Sequence, residues 1–394
     1  MNRKKLELPN GWKRGKLGSI CNLQAGKFVA ASDISKTKKV SFYPCYGANG
    51  LRGYVKKNSH NGIFPLIGRQ GALCGNIKKV KGKFFATEHA VVATPKLNTE
   101  VNWLYFQLIF ADLNKYATGV AQPGLSVKNI KEVFISIPPF SEQKAIANLL
   151  STWDEAIDKI ERLIQAKEKI LQHTAKCLLF GHKKINNQKV SLLDSTFFKY
   201  PCDWKLIKIA MIAKEISQRS EHADLTVLSC SKYDGFVDSL AYFGKQVFSN
   251  DTSNYKVIKK GQFGYPSNHI EEGSIGLLSH CEKGIVSPIY VVFDVNKEKV
   301  CPEYLFKLLK TNIFQHIFKV TTSASVDRRG SLRWKDFSKI KIPLPPLDEQ
   351  HQIAETLNIV QKEINLLKQL SEKYKLQKRG LMQKLLTGEW RVRC

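Results

Sequence analysis

The sequence predicts a mixed α/β (α+β) fold with two globular domains separated by two long antiparallel coiled-coil helices and an internal pseudo-twofold repeat. The first observation behind this is a duplication: residues 138–181 recur at 345–388 with a constant offset of 207 residues (143 to 350, 181 to 388). Both copies begin with the pattern Pro-Pro-x-x-Glu-Gln. A repeat of this length indicates a duplicated structural unit.

The second observation is an apolar seam in each copy, spaced alternately by four and three residues, which is the a/d pattern of a coiled coil. Two such helices most simply pair with each other, and the alternative is that each packs on its own domain. The predicted pairing positions are Ile146, Leu150, Trp153, Ile157, Ile160 and Ile164 in the first copy, and Ile353, Leu357, Val360, Ile364 and Leu367 in the second.

The ends of both helices are marked in the sequence. Prolines directly upstream cannot sit inside a helix, and Ser141 and Asp348 are suitable N-cap residues. Gly181 and Gly388 stand where a C-terminal stop is expected. The helices are therefore expected to begin at Ser141 and Asp348.

A second repeated pattern marks the start of each globular domain. Pro-Asn-Gly-Trp ends at Trp12 and Pro-Cys-Asp-Trp ends at Trp204, an offset of 192 residues (12 to 204), so the second domain is 15 residues longer (207 minus 192). Like ends with unlike middles indicate a common frame that carries two different working surfaces. The predicted organisation is 1–140 for the first domain, 141–181 for the central helix, 182–199 for a polar linker, 200–346 for the second domain and 347–394 for the C-terminal helix.

Inside the domains, residue patterns predict both strands and helices, as a mixed fold requires. Strands are predicted at 62–68, 84–93, 133–137, 226–230 and 289–293, and helices at 103–113 and 304–317.

The composition points to a polyanionic partner. The 394 residues include 62 Lys and Arg against 34 Asp and Glu, a net charge of +28. Nucleic acid is the first candidate, because neutralised phosphates release counterions, and an anionic membrane is a distant second. No apolar run is long enough to span a bilayer. The nine scattered cysteines contain no Cys-x-x-Cys pair, which argues against zinc and disulfides, so a cytoplasmic protein is expected.

The excess charge is concentrated in one interval, because no acidic residue occurs between Asp33 and Glu88. A solvated face normally mixes both signs, so this interval predicts a phosphate-facing surface. Its basic residues are Lys36, Lys38, Lys39, Arg52, Lys56, Lys57, Arg69, Lys78, Lys79, Lys81 and Lys83.

Polar loops supply candidate base contacts. Arg69 and Gln70 lie in a glycine-rich stretch within the basic interval, and Arg suits guanine while Gln suits adenine in the major groove. The alternatives are a plain glycine-rich hairpin and ordinary solvent-exposed connections. The other predicted DNA contacts are Thr118, Gln122, Ser267, Asn268, His269, Thr322, Ser323, Ser325, Arg328 and Arg329.

Motifs for catalysis are missing. The sequence has no Asn/Asp-Pro-Pro-Tyr/Phe methyltransferase motif, no phosphate loop, no H-E-x-x-H and no G-x-S-x-G. No catalytic residue, metal ligand or cofactor site is therefore predicted in this chain.

The chain resembles the DNA specificity (S) subunits of type I restriction-modification systems. The resemblance rests on residues 9–12 and 201–204, on 137–143 and 344–350, and on 381–388 with a weaker echo at 174–181. It implies two target-recognition domains that read a bipartite asymmetric DNA site. It also implies that two methyltransferase subunits dock on the helices, joined by two restriction (motor-nuclease) subunits. S-adenosylmethionine, ATP and Mg would then be bound by those partner subunits. The alternatives are a stand-alone nucleic-acid-binding protein or enzyme and a coiled-coil scaffold.

Overall fold

A computed structural model shows two compact units, which are described separately. Unit 1 comprises Met1–Leu163 and Leu367–Cys394, and unit 2 comprises Ile164–Leu366. The structure describes residues 8–71, 73–119, 123–185, 190–220, 225–232, 235–323 and 330–393. Each unit therefore combines one globular domain with parts of both long helices.

The globular part of unit 1 is a sheet domain with short helices. Its elements are β1 (Lys13–Lys16), α1 (Leu17–Ile20), β2 (Cys21–Ala25), β3 (Tyr43–Gly47), β4 (Gly50–Val55), β5 (His60–Gly68), β6 (Ile77–Ala86), β7 (Ala90–Pro95), α2 (Val101–Phe110), α3 (Val127–Lys131) and β8 (Phe134–Ile137). The first long helix, α4, follows as Phe140–Leu179.

Unit 2 has the same kinds of element in a longer domain. They are β9 (Leu192–Asp194), β10 (Lys199–Pro201), β11 (Lys205–Lys208), β12 (Ala213–Ile216), β13 (Leu228–Ser231), β14 (Gly235–Asp238), α5 (Ser239–Phe243), β15 (Lys256–Lys259), β16 (Phe263–Pro266), β17 (Gly276–Leu277), β18 (Lys283–Val286), β19 (Tyr290–Val295), α6 (Pro302–Leu309), α7 (Asn312–Ser323), α8 (Trp334–Phe337) and β20 (Lys341–Leu344). The second long helix, α9, is Leu347–Thr387. The β9–β10 hairpin lies in the stretch predicted as a polar linker.

The main sheet of unit 1 has the strand order β2-β7-β5-β6-β3-β4. β6 lies inside this sheet, because it pairs antiparallel with β5 along most of its length and, at its end, in parallel with β3. Gly62 and Gly82 face each other across the β5–β6 ribbon with φ of +140° and +94°. Residues with side chains rarely adopt such φ angles, so glycine suits both positions of this pair.

Unit 2 is built on a related plan with a smaller main sheet, in the order β12-β19-β16-β17. In both units a short antiparallel pair closes the domain next to the long helix, β1 with β8 in unit 1 and β11 with β20 in unit 2. The amide of Leu17 donates to Val133 (2.9 Å), and in unit 2 the amide of Ile209 donates to Ile340 (3.0 Å). The two domains predicted to share a common frame are therefore closed by an equivalent backbone hydrogen bond.

Two predicted elements prove to be composite. The run 84–93, predicted as one strand, contains the end of β6, a turn closed by the Ala90 amide on the Thr87 carbonyl (2.9 Å), and the start of β7. The run 304–317, predicted as one helix, is divided into α6 and α7 at Lys310 and Thr311. In both cases apolar residues flank a short polar stretch, 87–89 or 310–312, and the pattern on either side does not show that the chain turns there.

Both long helices begin one residue earlier than predicted, at Phe140 and Leu347 rather than at Ser141 and Asp348. Their last residues are Leu179 and Thr387, and Gly181 and Gly388 follow with left-handed φ of +64° and +82°. The glycine stops are thus in place. Among the helices of the described residues, none combines the length and apolar character required to cross a bilayer.

The seam residues are in contact both with the domains and with the opposite helix. In unit 1, Trp153 of α4 packs edge-on against Tyr374 of α9 (5.4 Å between ring centroids), and Glu161 pairs with Lys375 (2.9 Å). In unit 2, Lys167 pairs with Glu363 (2.8 Å). In unit 1, Asp154 also pairs with Lys378, so rising numbers from Asp154 to Glu161 along α4 meet falling numbers from Lys378 to Lys375 along α9. In unit 2, Leu179 lies further along α4 than Lys167 and shares the core with Leu357, which precedes Glu363. The two segments therefore run antiparallel within each unit.

The start of each seam is buried in a domain core, which was the alternative to helix pairing. Ile146 and Leu150 belong to the core of unit 1, and Ile353 and Leu357 belong to that of unit 2. The buried seam residues are Ile146, Leu150, Ile157, Ile164, Ile353, Leu357 and Ile364, whereas Trp153, Ile160, Val360 and Leu367 are half-buried.

The repeated Glu-Gln pair joins each helix to its domain. In unit 1, the side chain of Gln143 accepts from the Glu100 amide (2.9 Å) and donates to the Pro138 carbonyl (3.0 Å). In unit 2, Gln350 accepts from the Cys301 amide (2.8 Å) and donates to the carbonyl of Pro345 (2.9 Å). The glutamine thus satisfies backbone groups that would otherwise be left unpaired at the junction.

The neighbouring glutamate is clamped by groups distant in sequence. Glu142, only 3% exposed, accepts from the Trp12 indole (3.0 Å) and from two nitrogens of Arg391 (2.7 and 2.9 Å). A buried carboxylate requires such donors. The C-terminal residues of the chain therefore close unit 1.

Unit 2 contains the corresponding clamp. Trp204 donates to Glu349 (3.2 Å), and the ammonium group of Lys184 lies 3.7 Å from that carboxylate. A hydrogen bond to Asp203 and the charge of Glu349 raise the pKa of Lys184. Lys184 and Arg391 are equivalent in the repeat, because their numbers differ by 207 (184 to 391).

Candidate nucleic-acid interface

In unit 1, loops distant in sequence meet beside the end of β5. We call them loop cluster 1, comprising residues 68–71, 73–76, 87–90, 117–119 and 123–125. The amide of Arg69 donates to the His89 carbonyl (3.1 Å), and the amide of Leu125 donates to the Arg69 carbonyl (2.9 Å). Thr118 and Gly124 exchange backbone hydrogen bonds, both of 2.8 Å. The glycine-rich stretch and the polar loop, predicted separately, thus form one surface.

The side chains predicted to read bases in this cluster are available. Gln70 and Thr118 are exposed, and Arg69 is partly exposed. Among the described residues, none forms a hydrogen bond with the buried Nε of Arg69. The backbone of Arg69 is fixed by hydrogen bonds on both its amide and its carbonyl. Its guanidinium has N–H donors for a bidentate pair of hydrogen bonds to a base. Gln122 lies outside the described residues.

The basic residues of the acid-free interval do not all lie on one face. Apart from Arg69 they are all exposed, namely Lys36, Lys38, Lys39, Arg52, Lys56, Lys57, Lys78, Lys79, Lys81 and Lys83. Lys79, Lys81 and Lys83 alternate on one side of β6, and Lys78 points to the other. Lys79 donates to Asn102 of α2 (3.0 Å), so it is committed within the unit.

Lys78 lies beside the β3–β4 turn, which borders loop cluster 1. Its ammonium group lies beside Gly50, where an added Cβ would approach it to 2.7 Å. Gly50 ends the β3–β4 turn, and a Cβ on Gly68 would approach the Ala48 carbonyl oxygen of that turn to 2.5 Å. A cation in this position can contact a phosphate beside the loops.

Unit 2 holds an equivalent arrangement, which we call loop cluster 2 (residues 266–269, 287–290 and 330–332). The amide of Ser267 donates to the Ile289 carbonyl (3.3 Å), and the amide of Leu332 donates to Ser267 (2.7 Å). Leu332 is the repeat equivalent of Leu125 (125 to 332, a difference of 207). The same junction of loops is therefore present in both units.

Two residues of unit 2 that were predicted as exposed DNA contacts are buried in the structure. Ser267 and Thr322 are each only 7% exposed. Thr322 lies in the last turn of α7, where its hydroxyl donates to the Phe318 carbonyl (2.7 Å). The predicted loop begins later than the polar composition suggested, because hydroxyl residues can end a helix by bonding back to it.

The remaining predicted contacts of unit 2 are only partly described. Asn268 is partly exposed, and His269 is exposed with its Nδ1 3.3 Å from Glu272. Ser325, Arg328 and Arg329 lie outside the described residues, as does the side chain of Ser323.

Three buried thiols of the described residues are poorly suited to nucleophilic chemistry. Burial raises the pKa of the Cys21 and Cys230 thiols to about 12, and it also raises the pKa of Cys74 in loop cluster 1. Thiols with a raised pKa are poor nucleophiles. Within the described part of the chain, His269, Glu271 and Glu272 are grouped closely enough to hold a metal ion, but they are largely solvated and adjacent in sequence.

The turn at 87–89 is not predicted from the sequence as part of this surface. Glu88 ends the acid-free interval and so looks like its border, whereas the carbonyl of its neighbour His89 accepts a hydrogen bond from the Arg69 amide. The turn lies close to Arg69 because β7 pairs with β5, with Ala90 opposite Gly68, and this pairing is not a local property of the sequence.

Comparison with known proteins gives consistent matches. A protein-family model described as the type I restriction modification DNA specificity domain matches residues 9–171 and 238–375. The EcoprrI specificity subunit of Escherichia coli, a type I restriction enzyme component, is 43% identical over 156 residues, which are 39% of this chain and 39% of that one. The MjaVIII specificity subunit of Methanocaldococcus jannaschii is 26% identical over 420 residues, covering 98% of this chain and 95% of the relative.

A similar fold is found in a crystal structure. The type I restriction-modification S subunit from M. genitalium superimposes with a TM-score of 0.62 at 17% sequence identity. The superposition covers 97% of this chain and 98% of that one.

Proposed function

Because the chain belongs to the DNA specificity family of type I restriction-modification systems, we propose that it reads a bipartite, asymmetric DNA site for such a complex. Loop cluster 1 reads one half of the site and loop cluster 2 reads the other. The observation that carries this proposal is the recurrence of one loop junction in both units with different side chains on it. Exposed lysines and arginines around cluster 1 support contact with phosphates.

The partners in this proposal are duplex DNA, two methyltransferase subunits docked on α4 and α9, and two restriction (motor-nuclease) subunits. S-adenosylmethionine, ATP and Mg²⁺ act in those subunits, and this chain binds none of them. Exposed apolar side chains along both helices support docking, because water-facing apolar surface favours a protein partner. They are Leu149, Leu163, Ile170, Ile359, Leu366 and Leu376.

Co-expression with a matching methyltransferase subunit tests this function. We expect methylated adenines within one split sequence motif when both proteins are present, and none with either protein alone. Methylation mapping of the host genome measures the outcome. Methylation by this chain alone would identify an enzyme, and duplex binding that does not weaken with salt would indicate a scaffold with incidental charge.

Arg69 and Lys78 provide a test of the division between base and phosphate contacts. Arg69→Ala should relax the preference at one base position by about 1–3 kcal/mol and leave the others unchanged. Lys78→Ala should weaken binding to all sequences alike and reduce the salt slope by about one. Binding of the assembled complex to a library of duplexes at several salt concentrations separates the two effects. A uniform loss from Arg69→Ala would contradict its role as a base reader.

A further inference from the structure

The turn between β6 and β7 occupies the middle of loop cluster 1. The Thr87 amide donates to the Tyr46 carbonyl of β3 (2.8 Å), and the His89 carbonyl accepts from the Arg69 amide (3.1 Å). The turn is thus tied to its neighbours on two sides by backbone bonds. Its backbone is therefore fixed directly beside that of Arg69, which gives the part-exposed side chains of Glu88 and His89 the rigid support that recognition groups require.

The polar groups of this turn are unusually poorly satisfied by the protein itself. Among the described residues, none bonds the buried atoms Thr87 Oγ1, Glu88 Oε2 and Arg69 Nε. The other oxygen of Glu88 lies 3.1 Å from His89 Nε2, and the Glu88 side chain is 32% exposed. Buried polar groups without partners are rare in native proteins, and their clustering marks functional sites.

The negative charge of Glu88 does not suit a surface whose only role is to contact phosphates. A carboxylate repels the DNA backbone, so it weakens binding unless it accepts hydrogen bonds from a base. In the major groove, Glu and Asp accept from the N4 amino group of cytosine. Glu88 stands at the edge of an interval that holds no other acid after Asp33.

Unit 2 repeats the turn with different chemistry. The Tyr290 amide donates to the Ser287 carbonyl (2.9 Å), as the Ala90 amide does to Thr87 (2.9 Å), so the two turns have the same closure. Ile289, which is 44% exposed, takes the place of His89, and Pro288 takes that of Glu88. The two turns thus share a backbone hydrogen bond but differ in their side chains, as expected of two domains that recognise different DNA sequences.

We propose that the Thr87–His89 turn is a specificity element of unit 1, in which Glu88 accepts a hydrogen bond from the exocyclic amino group of a cytosine in the major groove. The matching turn of unit 2 reads by apolar contact, with Ile289 against a base-edge methyl group. This inference rests on the proposed function and assigns part of that site.

The test uses the complex of this chain with its methyltransferase subunit and genome-wide methylation mapping. Glu88→Gln keeps the shape of the side chain and exchanges an acceptor for an amide that pairs with adenine. We expect the cytosine preference at one position of one half-site to be lost or moved toward adenine, by about 5- to 150-fold. Glu88→Ala should abolish discrimination at the same position.

The controls separate failure of this inference from failure of the proposed function. Glu132→Gln, an exposed glutamate paired with Lys16 (2.6 Å) outside the cluster, should leave the motif unchanged. If the wild-type complex shows a split motif and Glu88→Gln retains it fully, this inference is overturned while the proposed function stands. A change in the half-site that depends on unit 2 also overturns it. Absence of any motif with the wild-type chain overturns the proposed function instead.

Discussion

Replacing residues 17–133 of unit 1 with the chain's own residues 209–340 is expected to give a site in which both halves carry the sequence now read by unit 2. The exchange begins and ends at the bonded pairs Leu17–Val133 (2.9 Å) and Ile209–Ile340 (3.0 Å). Because these bonds are equivalent, the junction keeps its geometry. The half-site of unit 1 is then lost completely, at about 1–3 kcal/mol for each base pair that no longer matches.

The residues of the long helices on which each domain packs favour this exchange. The domain of unit 1 packs on Ile146, Ala147 and Leu150, and that of unit 2 packs on the identical residues at 353, 354 and 357. The opposite helix supplies leucines at 385 and 386 to unit 1 and at 178 and 179 to unit 2. The transplanted domain therefore meets the same side chains at these five positions, whereas Thr387 takes the place of Phe180, which stacks on Phe314 in unit 2.

Methylation mapping of the co-expressed complex measures the result. Because the exchange changes neither long helix nor the domain of unit 2, it should leave the half-site of unit 2 as it is. If both half-sites change, or if the original half-site of unit 1 survives in a folded complex, the two units do not read independently.

The repeat made the family and the fold predictable. Local periodicity, prolines and glycines specify a long helix, so duplicated helices could be located to within a residue or two. The mixed α/β fold and the family resemblance are confirmed by the family match and the related S-subunit fold. Family membership also confirms that this chain is a recognition subunit and not an enzyme.

The errors arose where a local pattern was decided by distant contacts. The turn at 87–89 interrupts an apolar run because Tyr46 and Arg69 bond to it from other parts of the sheet. Thr322 lies in a polar stretch typical of a loop, yet α7 includes this residue, and its side chain is buried. Composition predicted a basic surface but not which lysines, such as Lys79, are occupied within the unit.

The clamp on Glu142 was visible in the sequence only through the repeat. Trp12 and Arg391 are separated from Glu142 by 130 and 249 positions, so no short motif joins them. Superposing the two copies places Lys184 and Arg391 at the same position after the helix-ending glycine, and this shared cation was the available evidence.

The C-terminal clamp leads to a large expected effect on stability. Arg391→Ala removes two of the three hydrogen bonds to the carboxylate of Glu142, a residue that is only 3% exposed. A buried acceptor left without donors costs about 1–3 kcal/mol. We expect the free energy of unfolding of unit 1 to fall by this amount and that of unit 2 to stay unchanged. Amide hydrogen exchange measures the two units separately, through core peptides around Trp103 in unit 1 and around Tyr304 in unit 2.

Three variants make this expectation specific. Arg393→Ala removes the same charge from an exposed side chain two residues later and should change stability little. Adding Glu142→Gln to Arg391→Ala removes the uncompensated charge, so the double variant should recover part of the loss. Lys184→Ala should have the smaller effect on unit 2, because Lys184 lies 3.7 Å from Glu349 rather than in a bidentate pair. Equal destabilisation by Arg391→Ala and Arg393→Ala would show that general charge, and not the clamp on Glu142, holds the end of the chain to unit 1.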